Sequence, residues 1–307
     1  MAKRPNSAQT GYAGGLTTKS PLLALAHNIL RIEERALGAN LPSDGRSPEP
    51  EQIHQLRIAV RRLRVALRLF KALLPRGAAS LRTELRWFGR ALGEVRDLDV
   101  YAQSLAAGGS DVQAIARPAQ LGTGDVEQSR AAARARLSLV LESERFAGLS
   151  TALAELAAGA PSPSAMRRWK SLRIADAAHA DVRKSIKRVL KLGRKIDADS
   201  PPDMLHRLRI RTKRLRYELD FYADIYPSLR QVAHAAKGIQ DTLGDYRDAC
   251  LAAERLRATH VRGRKRAATS AAADEAIAAQ LMQAAAARRA FGDHWQRFAK
   301  ATARDSL

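Results

Sequence analysis

The sequence predicts an all-α protein built from a duplicated four-helix unit, and three observations lead to this prediction. Ala, Leu and Arg, which favour helices, are abundant, whereas aromatic residues are scarce. Apolar residues recur with the 3.6-residue period of a helix in long segments, and no segment alternates with the two-residue period of a strand. Three consecutive helical segments also recur, in the same order, in the second half of the chain.

Loops rich in Pro, Gly and Ser separate the predicted helices. These helices cover residues 21–37, 51–74, 80–106, 126–157, 168–196, 203–225, 228–259 and 273–301. Residues 1–15 are predicted to be a disordered arm, and residues 159–166 are predicted to be a linker. The arrangement predicts one domain over residues 16–303, whose halves are 16–158 and 167–303.

The internal repeat is visible directly in the sequence. Residues 53–75 read IHQLRIAVRRLRVALRLFKALLP, and 152 positions later residues 205–227 read LHRLRIRTKRLRYELDFYADIYP. The same shift aligns the helices that precede these segments. A shift of 151 aligns LGEVRDLDV at 92–100 with LGDYRDACL at 243–251. Chance seldom repeats three helices in order, so the chain contains an internal duplication.

Two parallel stripes run along the first of these repeated segments. Apolar residues spaced three and four apart form a stripe typical of a buried helix face: Ile53, Leu56, Val60, Leu63, Leu67, Phe70 and Leu74. The residues one position later are all basic or His: His54, Arg57, Arg61, Arg64, Arg68 and Lys71. One residue turns a helix by about 100°, so the cationic stripe flanks the buried one. Like charges at this spacing repel, and a bound anion would remove that repulsion.

The second copy retains part of the cationic stripe. It repeats the first four positions as His206, Arg209, Lys213 and Arg216, but it has Asp220 and Ala223 in place of Arg68 and Lys71. The helices that precede the two segments add basic or His residues at every fourth position: His27, Arg31 and Arg35 in the first copy, and His179, Arg183 and Lys187 in the second. A solvated arginine face would explain one such helix, but the repetition favours a binding function.

The overall charge indicates the class of partner. The formal net charge is +22, from 53 basic and 31 acidic residues, which predicts a polyanionic partner such as nucleic acid, an anionic membrane surface or an inorganic polyanion. The single cysteine, Cys250, allows no intrachain disulfide and fits a reducing cytoplasm. No apolar run is long enough for a signal segment or a membrane span, so we expect a cytoplasmic protein without a membrane partner.

The repeated motifs resemble a known family. The doubled helix H-x-L-R-I-x-x-[RK]-R-L-R and the doubled element L-G-x-x-R-D are similar to the CHAD domain, the conserved-histidine α-helical domain, from about Leu16 to Lys300. This resemblance implies two pseudo-symmetric four-helix bundles packed around a central basic channel. It also implies non-catalytic binding of inorganic polyphosphate, often at polyphosphate granules.

The resemblance also implies which residues contact the ligand. The main contacts would be His54, Arg57, Arg61, Arg64, His206, Arg209, Lys213 and Arg216. Further contributors would be His27, Arg31, Arg35, His179, Arg183 and Lys187. Since Arg68 and Lys71 have no basic counterpart, one half of the channel is expected to bind more strongly. Histidine gains charge below a pKa near 6.5, so affinity is expected to rise as the pH falls.

Two other functions use the same residues: nucleic-acid binding by the basic surface, and an enzyme that acts on phosphate chains. The aromatic residues near the second stripe are expected to pack in the core rather than stack on bases: Tyr217, Phe221, Tyr222 and Tyr226. The sequence has no Gly-rich phosphate loop and no Ser-His-Asp pattern, so no enzyme activity is expected.

The repeated RD pairs suggest a structural role or a metal site. Arg96–Asp97 recurs as Arg247–Asp248, whereas Asp99 has no acidic counterpart, which favours ion pairs between helices over Mg²⁺ binding. Gly93 and Gly244 are expected to allow a close approach between helices. No metal or cofactor is expected, because the histidines lie beside arginines rather than in clusters of metal ligands.

Overall fold

The structure is a computed structural model, and it describes residues 11–42, 47–75, 77–106, 123–159, 167, 169, 171–197, 199–262 and 268–304. Within these residues the only extended pairing is an isolated bridge between Pro21 and Arg173, and the rest of the regular structure is helical. The all-α prediction is therefore confirmed. No helix in the described part of the chain is long and apolar enough to cross a membrane. Residues 160–166 of the predicted linker lie outside the described residues.

Nine helices are formed by the described residues. They are α1 (Leu22–Ala39), α2 (Pro50–Leu69), α3 (Ala78–Ala106), α4 (Thr123–Glu142), α5 (Glu144–Ala158), α6 (Ile174–Gly193), α7 (Pro202–Tyr222), α8 (Leu229–Arg262) and α9 (Ala268–Arg304). Both α2 and α7, the helices of the repeated segments, begin with a proline in the first turn. A proline there lacks only an N–H that would have no partner inside the helix.

The structure differs from the prediction most at one helix, with smaller differences at helix ends: α2 ends at Leu69 rather than 74, and α6 begins at Ile174 rather than 168. The single helix predicted over residues 126–157 is divided into α4 and α5 at Ser143. The Ser143 hydroxyl accepts a hydrogen bond from the Phe146 backbone N–H at 3.2 Å and donates one to the Val140 carbonyl at 2.6 Å. Such a serine cap satisfies backbone groups at a helix end, which allows one helix to stop and another to begin.

The helices of each half pack mainly on one another. In the first half, α1 packs on α2, α2 on α3, and α3 on both α4 and α5, while α5 returns to α1. In the second half, α6 packs on α7, α7 on α8, and α8 on α9, while α9 also contacts α6. Contacts of α2 with α7 and of α1 with α6 join the halves. The two helices that carry the cationic stripes therefore lie against each other.

The predicted apolar stripe of α2 is confirmed. All seven of its members are buried, with Leu74 the most exposed at 8%. Leu205, Leu208, Leu215 and Leu219 are buried at the corresponding positions of α7. Because these residues fix the rotation of each helix about its axis, the positions one residue later lie at the border of the core.

The end of the predicted N-terminal arm is not disordered. Residues 1–10 lie outside the described residues, but Tyr12 is only 2% exposed. Its hydroxyl donates a hydrogen bond to Glu33, and its backbone N–H donates one to the Asp224 carboxylate at 2.7 Å. Its ring lies edge-on against Phe221, with the centroids 5.4 Å apart. The prediction was wrong here because the Gly-rich local sequence does not reveal partners that are distant in the chain.

Candidate anion-binding site

The eight basic and His positions that the two copies share lie on α2 and α7, two helices that contact each other. We call them the inner set: His54, Arg57, Arg61 and Arg64 on α2, and His206, Arg209, Lys213 and Arg216 on α7. All eight are partly buried, and their helices are in contact. The structure thus places these charges at the junction of the two halves rather than on an outer face.

Lys213 lies among the other cations of the inner set. Burial, followed by the positive charges of Arg61, Arg209, Arg216 and Arg57, lowers the pKa of its ammonium group to about 7. Because Arg61 and Arg57 belong to α2, charges from both copies act on one amine of α7. Mutual repulsion of this kind favours a bound anion, which would stabilise the charged form of every member.

In each copy, a glycine makes room for one arginine of the inner set. A Cβ at Gly93 would lie 3.3 Å from Arg57 Nη1, and a Cβ at Gly244 would lie 3.3 Å from Arg209 Nη2. Arg57 Nη1 also donates a long hydrogen bond, 3.4 Å, to the Leu92 carbonyl. The repeated glycines therefore make room for guanidinium groups beside α3 and α8, which is a specific form of the predicted close approach.

The predicted ion pairs between helices are present in the first copy. Arg57 Nη1 lies 3.7 Å from Asp97 Oδ1. Asp99, which is completely buried, pairs with Arg130 at 2.7 Å and with Arg134 at 2.9 Å on α4. Both carboxylates of this segment thus hold helices together. The described residues bring together no group of three or more His, Cys, Asp or Glu side chains that could hold a metal.

The two histidines of the inner set each lie beside an arginine of the repeated RD pairs. Burial lowers the pKa of His54, and the positive charge of Arg96 lowers it further. Burial also lowers the pKa of His206, with Arg247 as the next contribution. The Arg247 guanidinium contacts the His206 ring, with Nη1 3.0 Å from Nε2. Both imidazoles are therefore neutral hydrogen-bonding groups at pH 7.

The other six predicted residues lie on α1 and α6, and we call them the outer set: His27, Arg31, Arg35, His179, Arg183 and Lys187. All are exposed except His27, which is partly buried and hydrogen-bonded through Nδ1 to the Leu23 carbonyl at 3.0 Å. Arg183 and Lys187 line a shallow groove along α6 with a volume of about 540 Å³. Its other lining residues are Ala180, Lys184, Arg188 and Lys191.

Sequence reasoning missed cations that come from other helices. Burial lowers the pKa of Arg64, and the nearby charges of Arg86, Arg82, Arg61 and Arg214 lower it further. Arg82 and Arg86 belong to α3 and are spaced like the predicted stripes, four residues apart. That spacing was the available signal, but it gave no hint that α3 would turn this face toward α2.

Two guanidinium groups of the inner set retain unused hydrogen-bonding capacity. The Nε atoms of Arg209 and Arg216 are buried and have no hydrogen-bond partner within the described structure. Arginine forks can bind two oxygens of one phosphate group at once. The arrangement is therefore suited to an anion with many closely spaced oxygens.

The fold of this chain is similar to those of solved structures. The chain is similar to the structure titled "Crystal structure of the CHAD domain from the plant Ricinus communis", with 25% identity and a TM-score of 0.66, over 90% of this chain and 93% of that one. It is also similar in fold to "PptA from Streptomyces chartreusis", with 20% identity and a TM-score of 0.65, over 90% of this chain and 100% of that one. No curated protein gives a significant sequence match.

The family assignment follows from the sequence range that matches. The CHAD domain matches residues 29–257, which begin within α1 and end within α8. This range contains the whole inner set, both repeated RD pairs and both glycines. Since it covers well over half of the chain, the protein belongs to the CHAD domain family.

Proposed function

We propose that this protein binds inorganic polyphosphate without cleaving it, in a basic channel between two duplicated four-helix bundles. The observation that carries the proposal is the clustering of cations from both copies around Lys213. Polyphosphate is a flexible chain with about one charge per phosphate, and it has no base to stack or to read. A site for it needs many cations along a narrow path, and the inner set provides them.

The aromatic residues support polyphosphate over a single-stranded nucleic acid. Proteins that bind single strands usually stack bases on accessible aromatic rings. Tyr217, Phe221 and Tyr222 are buried, at 4%, 1% and 0% exposure, which agrees with the predicted packing role. Tyr226 is partly buried and lies edge-on near His179. These four rings therefore offer little surface for stacking beside the inner set.

We further propose that binding recruits the protein to cytoplasmic polyphosphate granules. The proposal depends on affinity for a long chain, because a granule presents many phosphates at once. A fluorescent fusion should then mark granules in cells, and an Arg57→Ala, Arg209→Ala variant should not. Diffuse wild-type fluorescence in cells with visible granules would contradict recruitment.

Calorimetric titration with long-chain polyphosphate tests the proposed ligand. The titration is run at about 0.15 M ionic strength, where exposed charges are screened beyond roughly 8 Å, beside an RNA and a duplex DNA of equal charge. Polyphosphate should bind most tightly, and a gel should show that its length does not change with time. Equal or tighter binding of RNA or DNA would instead favour a nucleic-acid-binding function, and shortening of the chain would favour an enzyme.

A further inference from the structure

A second cationic pocket lies beside the inner set, where α2, α6 and α7 meet. We call it the side pocket, and its volume is about 190 Å³. Its lining residues are Arg68, Ser185, Arg188, Val189, Arg211, Arg214, Leu215 and Glu218. Four of these eight residues are arginines, from three different helices. Only Arg68 belongs to the stripe recognised in the sequence, and none of the eight was carried over from the family resemblance.

The arginines of the side pocket are held close together. Burial lowers the pKa of Arg214, and the positive charge of Arg68 is the next contribution, with Arg82 and Arg188 adding to it. Arg211 Nη1 donates a hydrogen bond to the Arg188 carbonyl at 3.3 Å, which fixes α7 against α6. The pocket therefore concentrates positive charge that the fold itself leaves largely uncompensated.

Among the described residues that line the side pocket, Glu218 is the single acid. It is 6% exposed, and burial raises the pKa of its carboxyl group, although Ser185 and Arg214 act in the opposite direction. One carboxyl group beside four guanidinium groups leaves a net positive charge in either protonation state. An anion can therefore bind here without displacing an existing ion pair.

The side pocket has cationic neighbours on both sides. Toward the inner set, burial lowers the pKa of Arg64, and the positive charges of Arg82 and Arg214 lower it further. Toward solvent, Arg188 lines both the side pocket and the shallow groove along α6. That groove is bordered by five basic residues. A negatively charged chain could pass from the inner set through the side pocket to α6 without leaving a cationic environment.

The equivalent arginine of the first copy is paired with an acid. Arg62 occupies the position that a shift of 152 residues aligns with Arg214. Arg62 Nη1 lies 3.4 Å from Glu33 Oε1, and the same carboxylate accepts the hydrogen bond from Tyr12. A shift of 152 residues aligns Asp220 of α7 with Arg68 of α2. Burial raises the pKa of the Asp220 carboxyl group, and the positive charge of Arg62 acts in the opposite direction. Among the described residues at these equivalent positions, the acids Glu33 and Asp220 thus replace the cationic surroundings that Arg214 has.

We propose that the side pocket is a second phosphate-binding subsite, through which a polyphosphate chain leaves the inner set and continues along α6. This inference rests on the proposed polyphosphate-binding function and adds a direction to it. The ligand is a continuous linear polyphosphate, because separate small anions would not link the two sites. A short chain occupies the inner set, whereas a long chain occupies the inner set, the side pocket and the α6 groove.

The test compares long-chain polyphosphate with tripolyphosphate by calorimetry. The variant is Arg68→Ala with Arg188→Ala, and the matched control is Arg289→Ala with Arg297→Ala, which removes two exposed arginines from α9. The side-pocket variant should bind the long chain about tenfold more weakly and tripolyphosphate within twofold of wild type. The slope of log affinity against log salt concentration should become less steep by about 1 to 1.5. For single-stranded polyanions this slope changes by roughly 0.7 for each phosphate contact that is removed. The control should match wild type except for a small loss.

The outcomes separate this inference from the proposed function. If the wild type binds neither polyphosphate, the proposed function fails. If the wild type binds but the variant matches the α9 control, the side pocket is not a subsite and this inference is overturned. Equal losses for both ligands would also overturn it, because the pocket would then belong to the inner set. Circular dichroism checks the fold, and Arg188→Gln, at an exposed position on α6, provides a milder second variant.

Discussion

Arg62 and Arg214 occupy equivalent positions in the two copies, yet their surroundings differ. Arg62 is 19% exposed and contacts Glu33, which is 1% exposed, at 3.4 Å. Burial acts to lower the pKa of Arg62, but the acidic groups of Glu33 and Asp220 outweigh it and raise that pKa. One copy therefore uses this arginine to hold the N-terminal segment, α1 and α7 together.

The counterpart in the second copy faces mostly like charges. Burial, Arg68, Arg82 and Arg188 all lower the pKa of Arg214, and only Glu218 among the main contributions opposes them. Ser185 stands where α1 has Glu33, so the buried acid is missing from α6. Equivalent arginines can therefore have opposite surroundings. Arg62 is paired with a buried acid, whereas Arg214 adds to a cluster of positive charge.

The largest expected effect is on stability, from Arg62→Ala compared with Arg214→Ala. Arg62→Ala should lower the free energy of unfolding by about 3 kcal/mol, because it leaves Glu33 buried beside Tyr12 without its cation. Arg214→Ala should change it by less than about 1 kcal/mol, since the lost Glu218 contact is offset by relief of repulsion. Urea unfolding of both variants without ligand measures the difference. Equal losses would contradict the contrast between the two arginines.

The next largest effect is on affinity, from the paired substitution of Arg57→Ala with Arg209→Ala. Hydrogen bonds to charged groups contribute roughly 1.5 to 3 kcal/mol each, so the pair should weaken polyphosphate binding by at least about 100-fold. Helix content should not change, because the ion pair of Arg57 with the half-exposed Asp97 contributes little. Calorimetry and circular dichroism measure the two quantities.

A second pair tests the same set at the next turn of each helix. Arg64→Ala with Arg216→Ala should cause a loss of similar size, while the α9 pair serves again as the charge-matched control. The single variants Arg57→Ala and Arg209→Ala show whether the copies contribute equally. Undiminished binding in both double variants would exclude the inner set as the site.

Periodicity and duplication were sufficient to predict the fold class and to identify the inner set. Helical spacing places Arg57, Arg61 and Arg64 on one stripe, and the repeat identifies the matching stripe of α7. The core border then follows from the apolar residues one position earlier. These features are local or internally repeated, so a single sequence contains them.

The other features depend on contacts between segments that are distant in the chain. Tyr12 is buried because Glu33 and Asp224 accept its hydrogen bonds, and nothing in its Gly-rich neighbourhood indicates those partners. The side pocket likewise depends on how α6 meets α2 and α7. The division of the predicted helix at Ser143 is an intermediate case, since a serine cap is a local signal that the apolar period obscured.

The pH dependence of binding distinguishes Lys213 from its counterpart Arg61. With a pKa of about 7, Lys213 is largely neutral at pH 8 in the free protein. A bound polyanion favours the charged amine and so raises its pKa. The contribution of Lys213 to affinity should then be constant well below pH 7 and fall by up to tenfold per pH unit above it, until the pKa of the complex is reached. Binding at pH 8 should accordingly take up nearly one proton.

Calorimetry in two buffers of different ionisation enthalpy measures this proton uptake. Lys213→Arg should abolish it, because arginine stays charged throughout this range. His54 and His206 contribute only at lower pH, since burial and the adjacent arginines lower the pKa of each. A histidine-driven rise in affinity would begin as the pH falls through the pKa that each imidazole has in the complex, and it would continue down to its lowered pKa in the free protein. Unchanged uptake in Lys213→Arg would assign the proton to another group.

The smallest expected effect is on affinity, from substitutions in the outer set on α6 compared with those on α1. Arg183→Ala with Lys187→Ala removes two residues that border the α6 groove, and Arg31→Ala with Arg35→Ala removes their exposed counterparts on α1. Exposed ion contacts contribute about 0.2 to 1 kcal/mol each, so the α6 pair should weaken long-chain binding about threefold. The α1 pair should have less effect, because Arg62 on that side is already paired with Glu33, which also accepts a hydrogen bond from Tyr12.

Both variants lose the same charge, so a general electrostatic effect would weaken binding equally. A difference that disappears with tripolyphosphate but persists with the long chain would place the extra phosphates along α6. Equal losses with the long chain would mean that polyphosphate reaches both faces despite the ion pair of Arg62 with Glu33. The asymmetry between the copies would then be a matter of stability alone, and the channel would bind its ligand as symmetrically as the repeated sequence suggests.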